Sequence, residues 1–475
     1  MKIKSNKFQA MAIDHGDGPC LVLSGPGSGK TYVLTNRIVS LIENHEVKAD
    51  NILVITFTRA SANEMQQRFM KIVNANGVFL ESEPTFGTFH SVFYDILRTE
   101  FGYNSSSLIN DNEEVEFLTS VLKRYKDIKI TPQLINNILY DIKNYKLYLE
   151  REEEYTPNYL NFKLFHNIFN DYQIILIRNK KLDFSDMISR CYDLLNSNAE
   201  ILHRYQDKYK YVLVDEFQDI NKLQYKLTKL ICKSKNIFVV GDDDQSIYKF
   251  RGSHPRVMAD FLKDYKRAKV IYLNENYRCA KQIVKFSKLV IDRNRDRFHK
   301  DLISNRDTLG CLEIKAFVNS SEENQYIIDL IKKYRRQGIK LSSMAILYRT
   351  NLLSNSIQST LFKNRINYKI KEDERDSSTQ ISNKDVRMVD AINLMTFHLS
   401  KGLEFDVVFI IDSNDGLIPH KKSIKDSDLE TERRLFYVAM TRAKDYLHIF
   451  FTTHRFGREY KPSRFILEAI GGQNG

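Results

Sequence analysis

The sequence predicts an α/β fold built on parallel sheets, and three observations carry that prediction. Short apolar runs of strand length recur along the chain: Leu21-Val22-Leu23, Ile52-Leu53-Val54-Ile55, Tyr211-Val212-Leu213-Val214, Ile237-Phe238-Val239-Val240 and Met344 to Tyr348. Amphipathic helical stretches separate them, as in Val33, Leu34, Ile38 and Leu41. The runs end in glycine, polar or acidic residues, at the carboxyl ends of strands where open α/β sheets keep their ligands. At 475 residues the chain is long enough for two or three domains.

Composition bounds the rest. Hydrophobic content of 42% and charged content of 28% describe an ordinary globular protein. A formal charge of +12 suits a polyanionic partner or an ordinary solvated basic surface, and charge alone does not separate the two. Five scattered cysteines with no CxxC pair suggest neither a disulfide framework nor a zinc cluster, as befits a reducing cytoplasm. The amino-terminal residues lack a secretory apolar core and no run reaches membrane length, so no membrane partner is expected.

Leu21 to Thr31 reads LVLSGPGSGKT, a strand, a tight glycine turn and a helix start. Gly25, Gly27, Ser28 and Gly29 let backbone N–H groups converge on a polyphosphate, Lys30 reaches the β and γ phosphates, and Thr31 ligates Mg²⁺. The loop predicts a bound nucleotide. Ser24 stands where a first glycine is usual. Upstream, Gln9 read alone is a polar surface residue, although a carboxamide beside a nucleotide pocket can read an adenine edge.

The second strand runs into Thr56-Phe57-Thr58-Arg59 and a helix through Ala62, Met65 and Phe69. Gly87-Thr88-Phe89-His90 precedes a helix expected from Ser91 to Phe101. From about Asn104 to His203 the spacing turns wholly helical, and the charges of Lys143 to Glu154 read as a solvated helix face. Strand Tyr211 to Val214 leads into Asp215-Glu216-Phe217-Gln218-Asp219. Asp215 can hold Mg²⁺ and Glu216 can deprotonate an attacking water. After Ile237 to Val240 comes GDDDQSIYKFRG, in which Gln245 is placed to sense a γ phosphate. There Tyr248, Phe250 and Arg251 interleave aromatic and cationic groups, as base-stacking platforms do.

GSGKT, ITFTRASANEM, GTFH, LDFSD, DEFQD, GDDDQSIYKFRG, LNENYR, TFHLSKGLEF and FYVAMTRAKD, in this order from Phe8 to about Phe465, closely resemble the UvrD/Rep-like, PcrA-like helicases of superfamily 1. The resemblance implies two RecA-like P-loop motor domains with ATP between them and single-stranded DNA across their tops. The first would comprise residues 1–103 and 204–275, interrupted by a helical insertion at 104–203, and the second residues 276–475. The implied activity is 3′ to 5′ translocation and unwinding driven by ATP hydrolysis, in repair, recombination or antiviral defence. A second reading keeps the fold as a DNA-binding, ATP-sensing subunit beside a nuclease. Expected DNA partners are single strands and 3′-tailed duplexes.

By the same resemblance, Tyr277 stacks on adenine with Arg37 on its other face, Glu404 contacts the nucleotide sugar, and Arg278 reaches the γ phosphate. Arg442, at what reads as the exposed end of a helix, is a second γ-phosphate arginine. Phe57, Thr58, Arg59, His90 and His398 join Tyr248, Phe250 and Arg251 as DNA-binding residues. Thr452 to Tyr460 resembles the strand-separating hairpin of the family, with Phe456 as its stacking residue. Between Lys369 and Ile392 the polar stretch reads as a linker where relatives carry a large helical insertion. Nothing follows Gly475 to suggest an appended nuclease.

Overall fold

The structure is a computed structural model that describes residues 5–147, 155–248, 253, 256–371, 390–425, 428–455 and 457–471. Phe250, Arg251, Phe456 and the expected linker core at 372–389 lie outside the described residues.

Six strands form the first sheet: β1 (Cys20–Ser24), β2 (Ile52–Thr56), β3 (Thr85–Thr88), β4 (Tyr211–Val214), β5 (Asn236–Gly241) and β6 (Lys269–Leu273). Their order is β3-β2-β4-β5-β1-β6, with β3, β2, β4 and β5 parallel. β1 and β2 are buried along their whole length, which explains why their sequences are unbroken apolar runs rather than alternating ones.

A two-residue pair, β7 (Glu275–Asn276) with β8 (Ile303–Ser304), precedes the second sheet. That sheet comprises β9 (Cys311–Phe317), β10 (Met344–Tyr348), β11 (Tyr368–Ile370), β12 (Ile392–Thr396), β13 (Phe405–Ile410) and β14 (Ala443–Thr452). All its pairings are parallel, in the order β11-β12-β10-β13-β14-β9. Its core joins Ile346, Tyr348, Leu394, Phe409 and Phe450 to Ile327, Ile331 and Tyr334 of the helix Ser320–Arg336. A short antiparallel hairpin, β15 (His454–Arg455) and β16 (Arg458–Glu459), follows β14.

The helices Asp111–Leu122, Pro132–Leu147 and Phe162–Arg178 enclose a core of their own, including Leu118, Ile138, Tyr145, Phe165 and Tyr172. One residue there departs from expectation. Lys146, read as part of a solvated face, is 7% exposed, because the carboxylates of Asp183 and Asp186 meet its ammonium group inside the protein. Burial alone would lower its pKa, yet the two carboxylates outweigh that and raise it. The helix expected from Ser91 begins two residues earlier, at Phe89, because Thr88 and Ser91 form a reciprocal capping box.

The chain divides into two compact units, Met1–Val22 with Thr31–Gly241 and Tyr248–Ile271, and Leu23–Lys30 with Asp242–Ile247 and Tyr272–Gly475. No helix among the described residues is long and apolar enough to cross a membrane.

Candidate functional site

The phosphate loop, residues 23–30, belongs with the second unit and is held there through its backbone. The Gly25 N–H donates to the Leu273 carbonyl at 3.2 Å, and the Gly27 carbonyl accepts from the Tyr277 N–H at 2.9 Å. Gly27 has φ +64°, and a Cβ there would lie 2.6 Å from Cβ of Arg278, so the turn admits only glycine. The buried Ser28 hydroxyl closes the loop on the Gly25 carbonyl at 2.8 Å. After Gly29 the chain enters the helix Lys30–Glu43, whose first N–H groups lack intrahelical acceptors and present positive potential to an anion.

Four predicted residues meet in the same unit. Arg278 Nε donates to Glu404 Oε2 at 2.8 Å, while Lys444 takes the other carboxylate oxygen at 3.0 Å. Burial opposes charge on Glu404, yet Arg278 and Lys444 hold its carboxyl below the usual range. Arg442 corrects the expectation of an exposed helix end. It is 1% exposed, just past the helix Leu429–Met440, because backbone acceptors surround it. Its guanidinium donates to the carbonyls of Val438 at 2.9 Å and Leu403 at 3.1 Å, and approaches Gln245 Oε1 at 3.4 Å. Gln245 Nε2 donates to Asp242 at 2.5 Å, and its backbone carbonyl accepts from Lys401 Nζ at 2.7 Å. Tyr277 leaves its ring 40% exposed, with its hydroxyl donating to Glu275 at 2.9 Å.

What the sequence did not reveal is how the Gln245 loop is held. The carboxylates of Asp242, Asp243 and Asp244 converge as metal ligands would, but Lys300 Nζ sits among them at 2.6, 2.5 and 2.9 Å. Arg297 adds a two-pronged grip on Asp244 at 2.8 and 2.7 Å. The chain thus supplies its own cation there. No local spacing signals the pairing, since Lys300 lies 58 residues from Asp242.

In the first unit, Asp215 follows β4 and its Oδ1 accepts the Glu216 N–H at 2.9 Å. Glu216 adopts φ +50°, ψ 42°, a left-handed backbone that costs a non-glycine residue about 1–2 kcal/mol. Its carboxylate accepts from Gln218 Nε2 at 2.5 Å. Thr31, in the first turn of its helix, and the 7%-exposed Asp215 offer a hydroxyl and a carboxylate, the hard oxygen donors that Mg²⁺ takes, so the donor set fits that ion. Gln9 is buried, and its Oε1 accepts the Asn6 N–H at 3.2 Å in a capping box that starts the helix Lys7–Ile13.

Arg37 does not match its expected role. It is 2% exposed, its guanidinium donates to the carbonyls of His15 and Gly16, and it lies 4.3 Å above the Phe238 ring. Those contacts commit both its charge and its flat face to the interior, leaving no surface for an adenine.

Aromatic and polar groups gather at the strand ends of the first unit. The half-buried rings of Phe57 and Tyr248 stack at 5.1 Å with 12° between their planes. Thr58 and Arg59 are exposed beside them, and the Thr58 hydroxyl also caps the helix Arg59–Asn76. His90 stacks at 3.9 Å on Phe184, a ring 59% exposed that the sequence showed only as part of a helix start. Lys146 pins Asp183 and Asp186 on either side of Phe184, so this exposed ring is held by a buried ion cluster. His398, in the second unit, begins a short 3₁₀ turn after β12.

Burial lowers the pKa of His90 to about 4, so its ring is neutral at physiological pH. The unfolded chain takes a proton below about 6.5 that the folded chain refuses. Stability is therefore full above that pH and falls as pH drops from about 6.5 to 4, by up to about 3 kcal/mol. Melting temperatures measured between pH 7.5 and 4.5 should converge at high pH and diverge at low pH when wild type is compared with His90→Phe. Parallel curves would reject this origin.

Comparison with known proteins extends over nearly the whole chain. The UvrD/REP helicase N-terminal domain matches residues 5–266, and the UvrD-like helicase C-terminal domain matches 271–376 and 374–454. The ATP-dependent DNA helicase PcrA of Staphylococcus epidermidis is 29% identical, covering 98% of this chain and 86% of its own length. That of Staphylococcus aureus is 28% identical with the same coverage. The alignments run over 630 and 631 positions against 475 in this chain, and the C-terminal match breaks at 374–376, where the sequence showed a linker in place of the relatives' insertion. With one family spanning more than half the chain and its companion domain most of the remainder, this protein belongs to the UvrD/Rep helicases, in a compact form.

Proposed function

We propose that the chain is a cytoplasmic ATP-dependent DNA helicase that walks 3′ to 5′ on single-stranded DNA and separates 3′-tailed duplexes. Support comes chiefly from one observation: Gln245, Arg442, Arg278 and Glu404 belong to the same unit as the phosphate loop, with Arg278 bonded to Glu404 and Arg442 to Gln245. In this reading Lys30 and the loop N–H groups bind the β and γ phosphates, and Thr31 and Asp215 would hold Mg²⁺. Bound Mg²⁺ supplies charge neutralisation on those phosphates. Glu216 takes the proton of the attacking water, while Arg278 and Arg442 offset charge that grows on the γ phosphate. Gln245 links the phosphate end to Asp242 and so to the GDDDQ loop.

DNA contacts fall to Phe57, Tyr248, His90 and Phe184 as stacking surfaces, to Thr58, Arg59 and His398 as polar contacts, and to Phe456. Neutral His90 contributes stacking rather than charge. The domain boundaries expected at 103, 203 and 275 complete the proposal. Without the relatives' insertion the chain has less to grip duplex with, so a partner protein such as a nuclease would supply that grip.

Steady-state ATP hydrolysis with and without single-stranded DNA, together with unwinding of 3′- and 5′-tailed duplexes, tests this. Expected are strong stimulation by the single strand, unwinding of short 3′-tailed duplexes alone, and weak unwinding of long ones. Hydrolysis indifferent to DNA, or preference for a 5′ tail, would overturn it.

A further inference from the structure

The hairpin after β14 has two-residue legs, and a hairpin that short is not stable by itself. Gly457, at φ +70°, makes its turn. Its position must therefore be fixed from outside, and the loop Asp412 to Asp415, which follows β13, does so.

Asn414 is fully buried, and its carboxamide behaves like one peptide unit of an extra strand. Its Oδ1 accepts the Thr452 N–H at 3.1 Å, and its Nδ2 donates to the Thr452 carbonyl at 2.7 Å and to the Lys461 carbonyl at 3.2 Å. One side chain thus grips the chain both entering and leaving the hairpin. On either side the backbone repeats the pattern. Ser413 N–H donates to the Phe450 carbonyl at 2.8 Å, and Asp415 N–H donates to the Lys461 carbonyl at 3.0 Å. The Asp415 carboxylate takes the Arg464 guanidinium in a fork at 2.7 and 2.8 Å.

The hairpin itself contributes the last tie. Arg455, on its first leg, is 8% exposed and turns inward onto the carboxylate of Asp412. Asp412 has φ +55°, and its N–H donates at 3.2 Å to Glu323 of the helix Ser320–Arg336. Two carboxyls and one guanidinium in a protein interior are a poor way to gain stability, since apolar side chains of similar size commonly do better. Such a cluster does fix direction, because a planar guanidinium donates to a carboxylate in few geometries.

We infer that Asp412 to Asp415 form a clamp that sets the direction of the hairpin, and that Arg455 is a positioning residue for strand separation. This rests on the reading of the hairpin as the element that parts the strands. β13 has six residues, about 20 Å, and begins beside Glu404, so the clamp and the Arg278 partner sit at the two ends of one strand.

The test measures three things in Arg455→Met, Arg455→Lys and Asn414→Ala: amide exchange of residues 454–459, unwinding of a 3′-tailed duplex, and DNA-stimulated ATP hydrolysis. Expected are faster exchange in the hairpin, unwinding reduced about ten- to a hundredfold, and hydrolysis at its wild-type rate. Arg455→Lys keeps the charge without the planar guanidinium, so it gives the same result should Arg455→Met fail to fold. Exchange unchanged in all three variants overturns the clamp. Faster exchange with undiminished unwinding overturns the role in strand separation. A parallel Phe456→Ala variant locates that failure. If it lowers unwinding, the inference alone falls; if it does not, the hairpin's own role falls too.

Discussion

Lys30→Ala is expected to lower DNA-stimulated ATP hydrolysis by about two to three orders of magnitude, the loss typical of removing one preorganised group from a developing negative charge. Lys30 is half-buried at the first position of the helix Lys30–Glu43, beside a loop whose shape is fixed by Gly25, Gly27 and Ser28 through backbone contacts that the substitution does not touch. Folding and single-strand affinity should therefore survive while turnover does not. Measuring the melting temperature, single-strand affinity and steady-state rate on one preparation decides the matter. A variant that keeps its DNA-stimulated rate would mean that the loop binds something other than a polyphosphate.

Arg442 should give an effect of similar or larger size, with a different companion. As a finger on the transferred phosphoryl group, its removal would cost roughly three orders of magnitude or more in kcat, with little change in nucleotide affinity. Because its guanidinium serves the Leu403 carbonyl, Arg442→Ala also takes the donor from that acceptor, at about 1–3 kcal/mol, while the Val438 carbonyl keeps the Thr441 hydroxyl at 3.0 Å. Arg442→Lys separates the two effects. It retains a charge and part of the bonding, so stability should largely return while kcat stays low, since an ammonium cannot span the carbonyls and the phosphate together. Recovery of rate along with stability would assign Arg442 to structure alone.

The sequence was most legible where a local rule suffices. β4 and β10 were readable residue for residue, because a strand buried on both faces is an unbroken apolar run with polar punctuation. Arg37 and Arg442 show the limit. Each is an arginine near a motif, and nothing nearby in the chain reveals that His15, Gly16 and Phe238 enclose the first, or that Leu403 and Gln245 meet the second. Lys146 with Asp183 and Asp186, and Lys300 with Asp242 to Asp244, were invisible for the same reason. Pairing across the fold converts charges that look solvated into buried clusters, and spacing carries no trace of it.

Glu216 is also a place where folding and chemistry pull apart. Its left-handed backbone follows directly after the buried strand β4, at a position that glycine would fill without penalty. A chain selected for robustness alone would drift toward glycine there and resist unfolding better for it. Keeping a carboxylate at that turn means living with a weaker joint between β4 and the DEFQD segment; on the proposed role of Glu216 as the base, variants that raise the melting temperature by relaxing this turn would gain stability at the expense of the hydrolytic step.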